Sequence, residues 1–213
     1  MEKNLEELLR IKENGIIRSF EKNNMNCIFV KNLEELHKYF DSVLTKGKTV
    51  GVGGSQTLEQ TGLLDQIRKS LATFYDRYEE GLSREDIQNV HRDCFGADVY
   101  VTSTNALTTD GCLYNIDGNG NRVAAMIFGP KNVYVVAGLN KVFESEDEAI
   151  AHIRNVSAPA NAIRLNRKTG CTKVGRCIDC KSPERICSSY VKLAQQQAIN
   201  RIHVIIIEDD FGY

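Results

Sequence analysis

The sequence predicts an α/β fold in three layers, a mainly parallel sheet with helices on both faces. Short runs rich in β-branched residues alternate with stretches of helical periodicity, which is the pattern of strand-helix-strand crossovers. A glycine turn, Gly51-x-Gly53-Gly54-Ser55, joins one such strand to a helical stretch. The chain of 213 residues is 42% hydrophobic and 26% charged, enough to bury a large core and too apolar for disorder.

Taken in order, Leu5, Leu8, Leu9, Ile16, Ile17 and Phe20 predict N-terminal helices within residues 1–24, interrupted near Asn14-Gly15. Cys27 to Val30 reads as a buried strand, Leu33 to Leu44 as a helix, and Thr49 to Val52 as a strand entering the glycine turn, with Gln56 to Gln60 helical after it. Leu71 to Tyr75 is expected as strand, and Ser83-x-x-Asp86 starts a helix from Arg84 to Cys94. Val99 to Thr102, Leu113 to Ile116 and Val133 to Val136 are strands, the latter two separated by the turn-rich residues 117–121. Ser145-x-x-Glu148 is a capping box that opens a helix through about Val156, and Ile202 to Ile207 is the last strand. No linker divides the chain, so residues 1–213 are expected as one domain with a cysteine-rich insertion over residues 164–190.

Lys and Arg number 27 against 28 Asp and Glu, a net charge of -1. That balance gives no global field for a polyanion, and no nucleic-acid partner is expected. The acidic N-terminus does not look like a signal peptide, and no apolar run approaches the roughly 18 to 20 residues that a bilayer needs. A cytoplasmic protein without a membrane span is therefore expected, with self-association left open.

Cysteine is the anomaly. Cys27, Cys94 and Cys112 are scattered, but Cys171, Cys177, Cys180 and Cys187 crowd into 17 of the chain's 213 residues, where an even spread of all 7 would place fewer than one. Four thiolates can ligate a [4Fe-4S] cube, one per iron, or close a tetrahedral zinc site. The arrangement resembles the cluster loop of helix-hairpin-helix DNA glycosylases, with one residue moved between the outer gaps. That likeness is confined to the loop. The [4Fe-4S] cluster is the first expectation, zinc the alternative, and a free-thiol or phosphate-binding basic loop the remaining one. Basic residues including Arg164, Arg167, Lys173, Arg176 and Arg185 run through the segment and would favour thiolates.

Two further segments suit an anionic small molecule. Gly53, Gly54 and Ser55 offer backbone amides after a strand, without the Lys of a Walker loop, and serve equally well as a plain tight turn. Ser103-Thr104-Asn105 through Thr109-Asp110-Gly111 follows the end of another strand, where open α/β sheets bind ligands. Asn105 is a candidate ligand contact there, Asp110 a candidate acid/base, and Arg122 and Lys141 candidate anion clamps. Asn-Asp-Gly clusters also serve ordinary hairpins. The four histidines stand singly and nominate no catalyst, and Cys112 has no neighbouring histidine base.

The sequence resembles the LUD (lactate-utilisation domain) family, which includes the small C subunit of bacterial lactate-utilisation operons. The resemblance rests on Gly51-Val52-Gly53-Gly54-Ser55, Ser103-Thr104-Asn105-Ala106, Thr109-Asp110-Gly111, Asp117-Gly118 with Asn121 to Ala125, Gly129-Pro130-Lys131, Asn140-Lys141 and Ala158-Pro159-Ala160-Asn161. The tail around Cys177-x-Asp179-Cys180 looks like a subset of that family. What the resemblance implies is a sheet similar to that of the ribose-5-phosphate isomerase, glucosamine-phosphate deaminase and CoA-transferase superfamily. It also implies a link to lactate oxidation alongside iron-sulfur partner subunits. An isomerase, deaminase or CoA-transferase-like enzyme with a structural metal, or a non-catalytic assembly subunit, are the alternatives it leaves.

Overall fold

The computed structural model describes residues 2–213. In chain order the elements are α1 (Lys3–Lys22), β1 (Asn26–Val30), α2 (Leu33–Val43), β2 (Thr49–Val52), α3 (Gln56–Gln60), α4 (Leu63–Lys69), β3 (Thr73–Phe74), α5 (Arg84–Asp93), β4 (Val99–Thr102), β5 (Ala106–Thr108), β6 (Leu113–Asp117) and α6 (Asn121–Phe128). They continue with β7 (Asn132–Gly138), β8 (Val142–Phe143), α7 (Glu146–His152), α8 (Ala158–Arg164), α9 (Cys171–Val174), β9 (Ser189–Leu193) and β10 (Ile202–Ile207).

Six strands form a parallel sheet in the order β1-β10-β7-β4-β2-β3. Its strands are apolar on both faces, as a doubly covered sheet requires. Val133, Val135 and Ala137 of β7 face Ile16 and Phe20 of α1 and Ala125 and Met126 of α6. Tyr134 and Val136, one residue out of phase, face Leu36 and Phe40 of α2 and Leu58, Leu63 and Ile67 of α3 and α4. The three-layer α/β expectation stands.

The structure corrects several elements. Helix α1 runs through Asn14-Gly15 without a break, because Gly15 sits on the exposed side and costs only about 1 kcal/mol of helix propensity. The strand expected over Leu71 to Tyr75 shrinks to Thr73–Phe74 at the sheet edge. Residues 106–108 and 113–117 belong to a separate four-stranded sheet, β8-β5-β6-β9, with β5 antiparallel to β6 and β6 antiparallel to β9. The helix opened by Ser145 does not stop at Val156. It passes through a π-turn at Ile153–Ser157 into α8. Pro159, at the start of α8, has no amide to donate backwards, and a widened turn before it lets the helix continue.

Candidate functional site

The carboxyl ends of β2, β4 and β7 open onto a cleft of about 820 Å³. This is where parallel sheets leave amides and loops free to meet ligands. Gly54 and Ser55 enter from β2, Ser103, Thr104 and Asn105 from β4, and Lys141 from the 3-10 turn after β7. Residues 183–186 of the cysteine segment and the C-terminal Tyr213 complete the wall.

The glycine turn is shaped by neighbours. A Cβ on Gly53 would lie 2.9 Å from Arg122 Cγ and closer still to Thr102 Oγ1. One on Gly54 would meet the Arg77 guanidinium at 3.0 Å. Ser55 caps the five-residue α3 by accepting from the Leu58 amide at 3.3 Å. Gly53 thus permits packing, while Gly54 and Ser55 face the cleft.

Arg122 is almost wholly committed to the protein. Its Nη1 donates to Ser103 O (2.9 Å) and Asn115 Oδ1 (2.6 Å), its Nη2 to Asn105 Oδ1 (3.0 Å) and Ile116 O (3.0 Å), and its Nε faces Asp117 Oδ2 at 3.5 Å. With those contacts its donors are used. Arg122 therefore ties the β4 and β6 loops together, and the clamp role expected of it is not what the structure shows. Asn105 shares this role, since its Oδ1 also accepts from the Ile116 amide at 2.9 Å.

Asp110 is the second correction. It sits in the exposed turn between β5 and β6, where its carboxylate accepts from Thr108 Oγ1 and its carbonyl from Asn23 Nδ2. It does not line the cleft. Short polar residues around a Gly with φ +84° were a turn signal, and the acid/base role has no geometry behind it.

Lys141 is 4% exposed, and its Nζ donates to Thr57 Oγ1 (2.8 Å), Ser103 Oγ (3.1 Å) and Thr104 O (3.2 Å). No carboxylate pairs with it among the described residues. Burial, and then the positive Arg122, bring its pKa down to about 7. Ser157, which also lines the cleft, is 1% exposed, and its hydroxyl has no hydrogen-bond partner among the described residues.

The remaining charge in the cleft is mainly arginine. Arg77 stacks on Tyr78 at 4.7 Å, and neither it, Arg84 nor Arg167 pairs with a carboxylate among the described residues. Arg164 donates only to Asn161 Oδ1. Acidic lining is limited to Glu59, Asp117 and Glu184, and Asp117 is paired with Arg122. Sequence reasoning missed Arg77, Arg84 and Ser157. Arg77 sits in an irregular turn with no periodicity to point at it, and Arg84 reads only as the first residue of α5, whereas Pro159 inside a helical pattern was a usable pointer to the turn that carries Ser157.

The four clustered cysteines converge. Cys171, Cys177, Cys180 and Cys187 line one small hollow with Ala158, Ala162, Thr169, Ile178 and Ile186. The Asp179 amide donates to Cys177 Sγ at 3.4 Å, from a left-handed backbone at φ +50°, and Thr169 Oγ1 lies 3.2 Å from Cys171 Sγ. Backbone amides of Ser182 and Gly170 lower the Cys180 pKa, while burial raises that of Cys187. Arg185 fastens the loop by donating to Cys180 O (2.8 Å) and Cys187 O (2.9 Å) and pairing with Asp179 (2.9 Å). Among the described residues, no three His, Cys, Asp or Glu side chains form a ready ligand set for a single metal ion. Cys27, Cys94 and Cys112 are buried elsewhere, and burial raises the first two to about 12 and about 11.

No curated protein sequence matches the chain. Among solved structures, a DUF162 family protein from Deinococcus radiodurans aligns over 93% of this chain and 96% of its own, at 13% identity and a TM-score of 0.52, a likeness of fold. Weaker likenesses are to eIF2B delta from Chaetomium thermophilum (16% identity, 70% of this chain and 57% of that one, TM-score 0.34) and to ribose 5 phosphate isomerase A from Neisseria gonorrhoeae (12% identity, 52% of each, TM-score 0.29). The family profile of the LUD domain matches residues 14–207, and the chain belongs to the LUD domain family.

Proposed function

We propose that this LUD-family chain is a cytoplasmic protein that binds a small anionic hydroxy or keto acid, such as lactate or pyruvate, in the cationic cleft. It takes part in the redox metabolism of that acid, with a four-thiolate site at Cys171, Cys177, Cys180 and Cys187. The observation that carries the reading is a shared wall. Ile186 lines both the cleft and the cysteine hollow, and α8 turns Asn161 to one while Ala158 and Ala162 line the other.

The donor set suits a [4Fe-4S] cluster, which when bound supplies one-electron transfer. Zinc is the alternative. Tetrahedral Zn–S bonds of about 2.3 Å would draw the sulfurs to about 3.8 Å from one another. The four thiols line one hollow, and the single Cys177-x-x-Cys180 pair bracketed by more distant cysteines is unlike the paired knuckles of zinc ribbons, which keeps the cluster as first choice. Backbone amides favour the thiolate at Cys180, the Asp179 amide donates to Cys177 Sγ, and Arg185 holds the loop to its shape. Oxidation of lactate to pyruvate releases two electrons and two protons, more than a one-electron centre takes, so the reading includes iron-sulfur partner subunits as acceptor.

In this reading Arg77 and Arg84, without a carboxylate partner among the described residues, attract and hold the acid's carboxylate. Lys141 and Ser157 supply polar groups deeper in the wall. The test is thermal unfolding of anaerobically purified protein with lactate, pyruvate or inorganic phosphate. Stabilisation by the two acids, weakened by Arg77→Gln, is expected. A melting temperature unmoved by either acid overturns the reading.

The size of the cleft favours a second reading, an isomerase, deaminase or CoA-transferase-like enzyme with a structural metal. About 820 Å³ lined by four arginines that pair with no carboxylate among the described residues suits a phosphate-bearing ligand. Stabilisation by sugar phosphates or CoA esters, and not by lactate or pyruvate, selects it.

A further inference from the structure

We propose that Lys141 is the nucleophile of the cleft, its side-chain amine forming an imine with the carbonyl carbon of an anionic keto acid or aldehyde. The inference rests on the reading that such a compound enters the cleft.

Four observations meet at this residue. Lys141 lines the cleft yet is 4% exposed, so a ligand that reaches it leaves bulk water behind. Its Nζ is held by two hydroxyls and one carbonyl, with no carboxylate to keep it charged. A buried ion-pair lysine has an acid beside it, and this one has Arg122 as its charged neighbour instead. That environment favours the neutral amine, the form that attacks carbonyls, and burial with Arg122 places its pKa at about 7. The fourth observation is Ser157. Its hydroxyl, 1% exposed and unpartnered among the described residues, is a buried polar group lining the same cleft, and such groups normally have partners. A ligand oxygen supplies one.

The chemistry balances without an oxidant or reductant. Nζ adds to the carbonyl carbon, a C–N bond forms, and the carbonyl becomes a carbinolamine hydroxyl as one amine proton passes to oxygen. The C–O bond then breaks, and the oxygen leaves as water with both original amine protons. The hydroxyls of Ser103 and Thr57, already in contact with Nζ, are placed to relay those protons. The C-terminal strap closes over the same point: a Cβ at Gly212, where φ is +71°, would sit 2.9 Å from Lys141 Nζ.

The experiment is borohydride trapping on the full chain near neutral pH, once with pyruvate and once with pyridoxal 5′-phosphate as an anionic aldehyde, followed by peptide mass mapping. Both probes are expected to label Lys141 ahead of exposed lysines such as Lys46 and Lys131, with labelling half-maximal near pH 7. Lys141→Met is expected to lose the adduct with an unchanged circular dichroism spectrum. If that variant does not fold, site mapping on the unaltered protein decides alone. Labelling confined to exposed lysines, or labelling of Lys141 only in strongly alkaline solution, overturns the proposal. Stabilisation by pyruvate without an adduct overturns it and leaves the acid-binding reading standing. An aldehyde adduct at Lys141 without any pyruvate binding supports the nucleophile and removes the keto acid.

Discussion

Burying Lys141 without a carboxylate has a thermodynamic signature that needs no ligand. The amine titrates at about 7 in the folded chain against an ordinary value of 10.5, so between those values the unfolded chain binds the extra proton. Stability therefore rises with pH across that window, and the full cost of burying the ammonium is present below pH 7. Between pH 7 and pH 9 the relief amounts to about 2 kcal/mol, from about 1.4 kcal/mol per pH unit less the half-titration at the lower end. For a chain of this size that corresponds to about 4–8 °C in melting temperature. The assay compares calorimetric melting of the protein and of Lys141→Met at both pH values, which cancels the other titrating groups. The unaltered protein should gain about 2 kcal/mol relative to the variant on going to pH 9. Parallel pH profiles would show that Lys141 keeps its proton throughout, and the neutral-amine argument would fall.

Other consequences concern the cleft walls. Arg122→Met leaves the Asp117 carboxylate and the Asn105 and Asn115 amide oxygens without their cation, and should cost about 3–5 kcal/mol in a denaturant titration. Gly53→Ala drives a methyl into Thr102 and Arg122 and should cost about 1–3 kcal/mol by the same measurement. Asp110→Ala should leave acid-dependent stabilisation and Lys141 trapping unchanged, because that carboxylate serves the β5-β6 turn. Cys180→Ser should lose bound metal on elemental analysis while keeping the far-ultraviolet spectrum, since the loop lies outside both sheets.

Much of the scaffold was legible because parallel strands covered on both faces are nearly continuous apolar runs. Val133 to Val136 and Ile202 to Ile207 could be read that way without ambiguity. The second sheet was not, because Ala106–Thr108 and Ser189–Leu193 carry polar residues that mimic loop and are fixed by pairing with β6. The site was half legible. Lys141, Asn105, Ser55 and the four cysteines share the neighbourhood that the sequence suggested. Asp110 looked identical in kind to Asn105 five residues earlier, and only the β5-β6 turn separates a residue facing the cleft from one facing solvent. Arg122 misled differently, since a sequence shows a cation but not the acceptors that have used its donors.

The most direct test of the central claim is iron, zinc and acid-labile sulfide analysis of protein purified without oxygen, read beside its visible spectrum. The expected result is brown protein with about four irons and four sulfides per chain, absent from Cys180→Ser. Colourless protein holding one zinc and no sulfide would contradict it.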